Sequence, residues 1–267
     1  MINDLSLAII TWRNFEKLEL TLKSYQEGGL FDAVSDCILV SQETSDAERN
    51  IASQYGLRLV ENPKNLGIEG AWRCALNNIK NNYCLVLEND CPLVESKATT
   101  LQELIFAKDL LENGTADVVR LRSRKAPGAK FYNIEKYSRY FEIEPTSSDR
   151  KTILVKQFRK YLRPFKAKRL SGSSVYALSH PEKRHKRIKR VQNNTYLVPS
   201  SILNWTNQSV MIHKDFMVDT LLERVKTHPS SRALNGFQDI ERSLNSRWWR
   251  RSNFTIAVTP GLFTHLD

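Results

Sequence analysis

No stretch of this 267-residue sequence approaches the run of about 20 apolar residues that a membrane-spanning helix needs. The opening residues, Met1-Ile2-Asn3-Asp4, lack the basic n-region of a secretory signal, and the apolar stretch behind them is short. The four cysteines (Cys37, Cys74, Cys84, Cys91) form no C-x-x-C pair, and two of them fall in apolar, strand-like runs. Reduced, buried thiols are therefore expected rather than disulfides. No internal repeat is visible, and His180, His185, His213 and His228 show no ligand spacing. A cytoplasmic, globular protein fits these absences.

Positive charge is in excess. The formal net charge is +11, which points to an anionic partner such as a phosphorylated substrate, an acidic lipid surface or a nucleic acid. The first part of the chain alternates strand and helix signals. Leu7-Ala8-Ile9-Ile10, Cys37-Ile38-Leu39-Val40, Arg58 to Glu61 and Tyr83 to Leu87 read as strands, the apolar runs among them as strands covered on both faces. Between them, Leu18, Leu22 and Tyr25, and then Ile68, Ala71, Trp72, Ala75 and Leu76, recur at helical spacing. Ser45-Asp46-Ala47-Glu48 and Thr100-Leu101-Gln102-Glu103 read as capping boxes that open two further helices. This alternation predicts an α/β fold with a mostly parallel sheet flanked by helices, whose ligands bind beyond the carboxyl ends of the strands. Later in the chain, Ser209 to Ile212 and Ile256 to Val258 read as strands, with helices at Asp215 to Lys226 and Phe237 to Trp248.

Glu88-Asn89-Asp90 follows the fourth strand directly. In an extended segment the side chains at i and i+2 share a side, so two carboxylates there can face one cation or one ligand. Two oxygen ligands leave positions on Mg²⁺ or Mn²⁺ that diphosphate oxygens can fill. Asn65-Leu66-Gly67-Ile68-Glu69-Gly70 places glycines before a helix, where backbone can approach a phosphate closely. It is not the G-x-G-x-x-G of a dehydrogenase. The plain alternatives are a solvated acidic turn and an ordinary helix start.

Taken in order, these segments resemble the nucleotide-sugar-binding half of GT-A fold glycosyltransferases, especially the inverting family 2 group. Ile9-Ile10-Thr11-Trp12-Arg13-Asn14 resembles that group's first strand and nucleotide-facing loop. Val40-Ser41-Gln42-Glu43-Thr44-Ser45-Asp46 stands where it has V-D-D-G-S-T-D. Glu61 to Ala71 resembles its N-x-x-N-x-G-x-x-x-A stretch, and Leu87 to Asp90 its D-x-D-type motif. Gly236-Phe237-Gln238-Asp239-Ile240-Glu241 resembles its G-[FY]-E-D-x-[DE] segment, and Pro260 to His265 its late strand and histidine.

The resemblance implies a single GT-A domain, with residues 1–121 as the nucleotide-sugar-binding half and 122–267 as the acceptor and catalytic-base half. It implies donor contacts from Thr11, Asn14, Gln42, Glu43, Asn65, Gly67 and Glu88. It assigns Mn²⁺ or Mg²⁺ to Asp90, with Glu88 at the ribose or a metal-bound water and His265 completing the shell. Asp239 becomes the base that activates an acceptor hydroxyl, with Glu241 as the alternate. The reaction implied is transfer from a UDP-linked sugar to a lipid-linked or polysaccharide acceptor, as in lipopolysaccharide or capsule synthesis. A retaining GT-A enzyme is the runner-up reading.

From about Arg122 to Val198 periodicity weakens and basic residues accumulate with aromatics between them. Such a stretch can bind nucleic acid or an anionic bilayer. Arg247-Trp248-Trp249-Arg250-Arg251 favours the bilayer, because Trp beside Arg suits a membrane interface; the plain alternative is a solvated basic face with Trp248 or Trp249 packed in the core. A peripheral protein at the inner face of the cell membrane is the expectation. A purely nucleic-acid-binding protein would leave the two acidic segments and the Gly67 loop unexplained.

Overall fold

The computed structural model describes residues 1–129, 131–143, 150–231 and 236–267. In its first part, strands and helices alternate: β1 (Ile2–Thr11), α1 (Phe15–Glu27), α2 (Leu30–Ala33), β2 (Val34–Gln42), α3 (Asp46–Gln54), β3 (Arg58–Asn62), α4 (Gly67–Asn78), β4 (Tyr83–Glu88), α5 (Lys97–Glu112) and β5 (Val118–Arg122). The basic stretch then forms α6 (Tyr132–Ser138), α7 (Arg150–Leu162), α8 (Pro164–Leu170), a 3₁₀ turn over Ser171–Tyr176, α9 (Pro181–Arg184), β6 (Lys189–Arg190) and β7 (Tyr196–Pro199). The chain finishes with β8 (Val210–His213), a π-helical stretch Phe216–Leu222 running into α10 (Glu223–Thr227), α11 (Ile240–Leu244), α12 (Arg247–Arg251) and β9 (Thr255–Phe263).

Among the described residues nine strands share one sheet in the order β3-β2-β1-β4-β8-β5-β9-β7-β6. The β3-β2-β1-β4 block is parallel, and β8 enters antiparallel between β4 and β5. The strand alternation explains why the apolar runs are unbroken. Ala8, Ile10, Ile38, Val40 and Val86 pack into one core with Trp72 of α4. Leu7, Ile9, Leu39, Leu85 and Leu87 pack into the other, with Leu18 and Leu22 of α1 and Leu104 of α5. Both faces of these central segments are packed, so their runs are apolar without alternation.

Three local readings change. The Ser45–Glu48 capping box is present at α3, but α5 begins earlier than Thr100, capped by Ser96. Thr100 and Glu103 are buried within that helix instead, and Glu103 accepts a bond from the Gly261 amide at 3.4 Å. The helix expected over Phe237 to Trp248 is two short helices broken at Asn245-Ser246, because Asn245 is spent on the backbone of Trp205 (2.7 and 3.0 Å). The last strand runs on to Phe263, past Pro260 and Gly261, at a register shift against β5.

Candidate active site

Parallel pairing aligns the carboxyl ends of four strands, β1 to β4. Thr11 pairs with Ser41, Ile10 with Glu88, and Gln42 with Asn62. Beyond these ends lies a cavity of about 250 Å³ lined by Ile10, Trp12, Gln42, Asn65, Gly67, Ile68, Glu88, Asn89, Phe237 and Gln238. Segments up to about 230 residues apart in sequence thus meet at one opening.

The loops that form the walls are fixed by their own side chains. Gln42 is buried and accepts the Leu66 amide at 2.9 Å, while Asn65 accepts the Gly67 amide at 2.7 Å. Gly67 has φ +67°, and a β-carbon there would lie 2.4 Å from Phe237. Glycine is thus required both by its backbone and by the close approach of the later segment. Glu43, itself at φ 56°, accepts from the Trp12 indole at 2.8 Å and from Arg13 at 2.9 Å, so it braces the first loop. Asn14 caps α1 through Lys17, and Thr11 is buried against the Asn89 amide at 3.2 Å. Of the seven residues assigned to the donor, Gln42, Asn65, Gly67 and Glu88 line the cavity; Thr11, Asn14 and Glu43 are not among its lining residues.

Glu88-Asn89-Asp90 is not extended throughout. The chain turns after Glu88, with the Cys91 amide on the Glu88 carbonyl at 3.3 Å. Asn89 ties this turn to the first loop, donating to Thr11 and to the Arg13 carbonyl at 3.0 Å. The two carboxylates therefore take different surroundings. Glu88 lines the cavity; burial, then Asp90, then Glu241 push its carboxyl up to about 8. Asp90 meets His265, Oδ2 to Nε2 at 3.3 Å. The tail that brings His265 there is clamped by Leu266 N to Asp90 O (2.9 Å) and Ala129 N to His265 O (3.0 Å). Burial lowers the imidazole pKa, against the pull of Asp90 and with that of Arg122 and Lys17.

Whether these residues suit a cation can be judged from the donors. Adjacent corners of an octahedron with ligand bonds of about 2.1 Å are about 3.0 Å apart, and Asp90 and His265 stand close to that. The second imidazole nitrogen, Nδ1, is buried without a hydrogen-bond partner among the described residues. A carboxylate with a neutral imidazole suits Mn²⁺. Glu88 does not join them: among the described residues no group of three His, Cys, Asp or Glu side chains could hold a metal ion. Of the three side chains assigned to the cation, Asp90 and His265 are paired, and Glu88 lies at the cavity.

Asp239 sits at the head of α11. Its Oδ1 accepts the Glu241 and Arg242 amides (2.9 and 3.4 Å) and its Oδ2 meets Arg242 Nε at 3.1 Å. Glu241 accepts from the Thr206 hydroxyl at 3.0 Å and the Asn207 amide at 3.1 Å. A chain of edge-on aromatics, Trp72 to Trp205 (6.2 Å) to Trp249 (5.7 Å), ties α4 to α12 behind these carboxylates. Trp249 is fully buried and donates to the Leu203 carbonyl at 2.8 Å. Within the Arg-Trp-Trp-Arg segment Trp249 is thus a core anchor, while Arg247 is exposed and Trp248 half-buried. Trp249 lies against both Trp205 and Phe254.

Sequence reasoning gave no role to the aromatic walls, Trp12 and Phe237, although both stand inside the segments it singled out. It also missed Thr206-Asn207, which hold Glu241 from a loop with no pattern of its own. All four cysteines are free, and burial pushes the thiols of Cys37 and Cys84 up to about 12.

Residues 6–170 match the model of glycosyl transferase family 2. No match is found among curated proteins. Among solved structures, the mannosyltransferase PcManGT from Pyrobaculum calidifontis, in complex with GDP-Man and Mn²⁺, aligns with a TM-score of 0.52 at 12% identity, over 99% of this chain and 56% of that one. S. aureus TarS 1-349 aligns at 0.51 and 12% identity, over 98% and 60%. The same protein in complex with UDP-GlcNAc gives 0.51 and 12%, over 99% and 58%. At such identity the likeness shows the shared fold, and this chain spans less than two thirds of the length of those neighbours. Because the family model covers more than half of the sequence, the chain belongs to glycosyl transferase family 2.

Proposed function

We propose that the protein transfers a sugar from a UDP-linked donor to a glycan or glycolipid acceptor presented at an anionic membrane surface, with the help of Mn²⁺ or Mg²⁺ and with inversion at the anomeric carbon. One observation supports this reading above the others. The cavity at the strand ends is lined by Phe237 and Gln238, the residues just before Asp239, so the segment that carries the proposed base adjoins the donor cavity although Asp239 and Glu241 do not line it.

On this reading residues 1–121 and 122–267 divide the work as donor and acceptor halves. Asp90 and His265 hold the cation, which when bound neutralises the charge left on the departing diphosphate. Gln42, Asn65 and Gly67 shape the floor for the nucleoside, Trp12 offers an aromatic face, and Glu88 is placed for a ribose hydroxyl. Asp239 takes the proton from the acceptor hydroxyl as it attacks. Its Oδ1 is spent on the helix cap, so Oδ2 is the accepting atom, and Arg242 must release it.

Asp239→Asn is expected to lower transfer by about 10²- to 10⁴-fold, while UDP with Mn²⁺ still raises the melting temperature as in the parent. If Glu241→Gln removes transfer and Asp239→Asn does not, the base is Glu241. Loss of both transfer and donor binding in Asp239→Asn would make the residue only a helix cap. NMR of the product's anomeric proton tests inversion, and retained configuration would contradict it. The neighbours in complex with GDP-Man and with UDP-GlcNAc make GDP the comparison nucleotide in these assays.

A further inference from the structure

The donor cavity makes no use of α6 to α8, and α7 is turned the wrong way for a helix on a core. Its half-buried positions are Ile153, Lys156 and Lys160, spaced i, i+3, i+7. Lys156 donates to the Phe141 carbonyl at 3.3 Å, and Lys160 lies 4.8 Å from the Phe141 ring centroid. At 100° per residue the other side of the helix carries Leu154, Val155, Phe158, Tyr161 and Leu162, which are 48% to 82% exposed. No residue of α7 is buried. Phe165, at the start of α8, is 79% exposed. An apolar arc of this extent facing water marks an interaction surface.

A second feature adjoins it. Lys136, Arg139, Arg159, Arg163 and Lys166 line a cavity of about 450 Å³, and no carboxylate lines it among the described residues. Arg159 and Leu162 belong both to this cavity and to the apolar hollow formed with Leu154, Val155 and Phe158, so the two are continuous.

Charge and polarity together select the occupant. Five cations around one hollow suit phosphate oxygens, and the apolar arc suits acyl chains. A second copy of this chain, at net charge +11, would set the same cations against each other. A nucleic acid would answer the cations and leave the apolar arc in water. We propose that α7 and α8 dock the protein onto an anionic phospholipid bilayer, with the arc from Leu154 to Leu162 and Phe165 in the interface and the five-cation cavity on a lipid phosphate. This rests on the reading of the chain as a transferase working at a membrane surface, and it names the face that meets that surface.

The test is co-sedimentation of the full chain with vesicles at about 0.15 M salt, an ionic strength at which long-range charge effects are screened beyond about 8 Å. Phosphatidylglycerol–phosphatidylcholine vesicles are expected to bind at least tenfold more tightly than phosphatidylcholine alone. Phe158→Ser with Phe165→Ser, and separately Arg159→Glu with Arg163→Glu, are each expected to weaken binding at least tenfold. Lys183→Glu with Lys186→Glu, an equal charge change outside the cavity, is expected to weaken it less than threefold. Each variant should keep the thermal shift with UDP and Mn²⁺, which shows that it is folded. Absence of vesicle binding, equal loss in the charge control, or loss in the arginine variant alone would overturn the proposal. So would tight binding of inorganic phosphate or single-stranded DNA with none to vesicles. Vesicle binding without any UDP–Mn²⁺ shift would instead break the transferase reading and leave the docking face standing.

Discussion

Two hollows of the same molecule answer anions in opposite ways. The cavity at the strand ends is walled by Gln42, Asn65, Glu88 and Trp12, while the one between α6, α7 and α8 is walled by five cations. A net charge of +11 thus says little about the strand-end cavity, where on the proposed reading a diphosphate would meet the Glu88 carboxyl and call for a cation beside it. The excess charge is concentrated instead on helices whose apolar side chains point outward. The first hollow is built into a sheet with both faces packed; the second rests on a small cluster of Tyr140, Ala167 and Leu170.

The sharpest way to break this contrast is to compare two aromatics from similar basic contexts. Trp249→Ala should cost about 3–5 kcal/mol of stability, because it empties a dry site and orphans the Leu203 carbonyl. Phe158→Ala, at a position 62% exposed, should stay within about 0.5 kcal/mol. Chemical denaturation measures both, and similar losses would refute the assignment of α7 as an unpartnered face.

A smaller effect is expected at the donor wall. Gly67→Ala should lose roughly 2–4 kcal/mol, combining the positive φ with the clash on Phe237, and should weaken UDP binding. Gly56→Ala shares the backbone strain, with nothing within 4 Å, and should cost about 1–2 kcal/mol with UDP binding unchanged. Equal effects of the two would mean that Phe237 does not close the cavity.

The smallest concerns the helical layer. His185, 3.1 Å from the Tyr137 hydroxyl and edge-on to Phe141, is held down to about 4 by burial and then by Arg184 and Lys160. Between the ordinary value near 6.5 and that value, the unfolded chain binds a proton that the native one does not. Stability should therefore fall as pH drops from about 6.5 toward 4 and stay level above 6.5. Solvent screening of this half-buried ring keeps the effect to at most about 1–2 kcal/mol. His185→Gln should flatten the melting temperature between pH 6.5 and 5, and an unchanged slope would assign it elsewhere.

Much of the first hollow could be read from the residues alone. Strands covered on both faces announce themselves as unbroken apolar runs, as in Leu7 to Ile10, and the order of the segments placed their loops at one end. What could not be read depends on which way a side chain turns. Trp249 and Phe158 both sit among arginines and lysines, and only packing against Trp205 separates one from the other. The turn after Glu88 defeated the i, i+2 argument, since alternation holds only while the strand lasts. The Thr206-Asn207 support of Glu241 has no pattern, because single backbone and hydroxyl donors leave none.

The central claim is that the strand-end cavity binds a nucleoside diphosphate through a cation held by Asp90 and His265. Thermal melting of the intact chain with UDP, with and without Mn²⁺, tests it most directly, beside Asp90→Ala. At ligand 100-fold above its Kd the parent should gain about 2.7 kcal/mol, roughly 5–10 °C for a chain of this size, only when UDP and Mn²⁺ are both present, and Asp90→Ala should lose that gain. An equal gain from UDP without metal, or an undiminished gain in Asp90→Ala, would contradict the account.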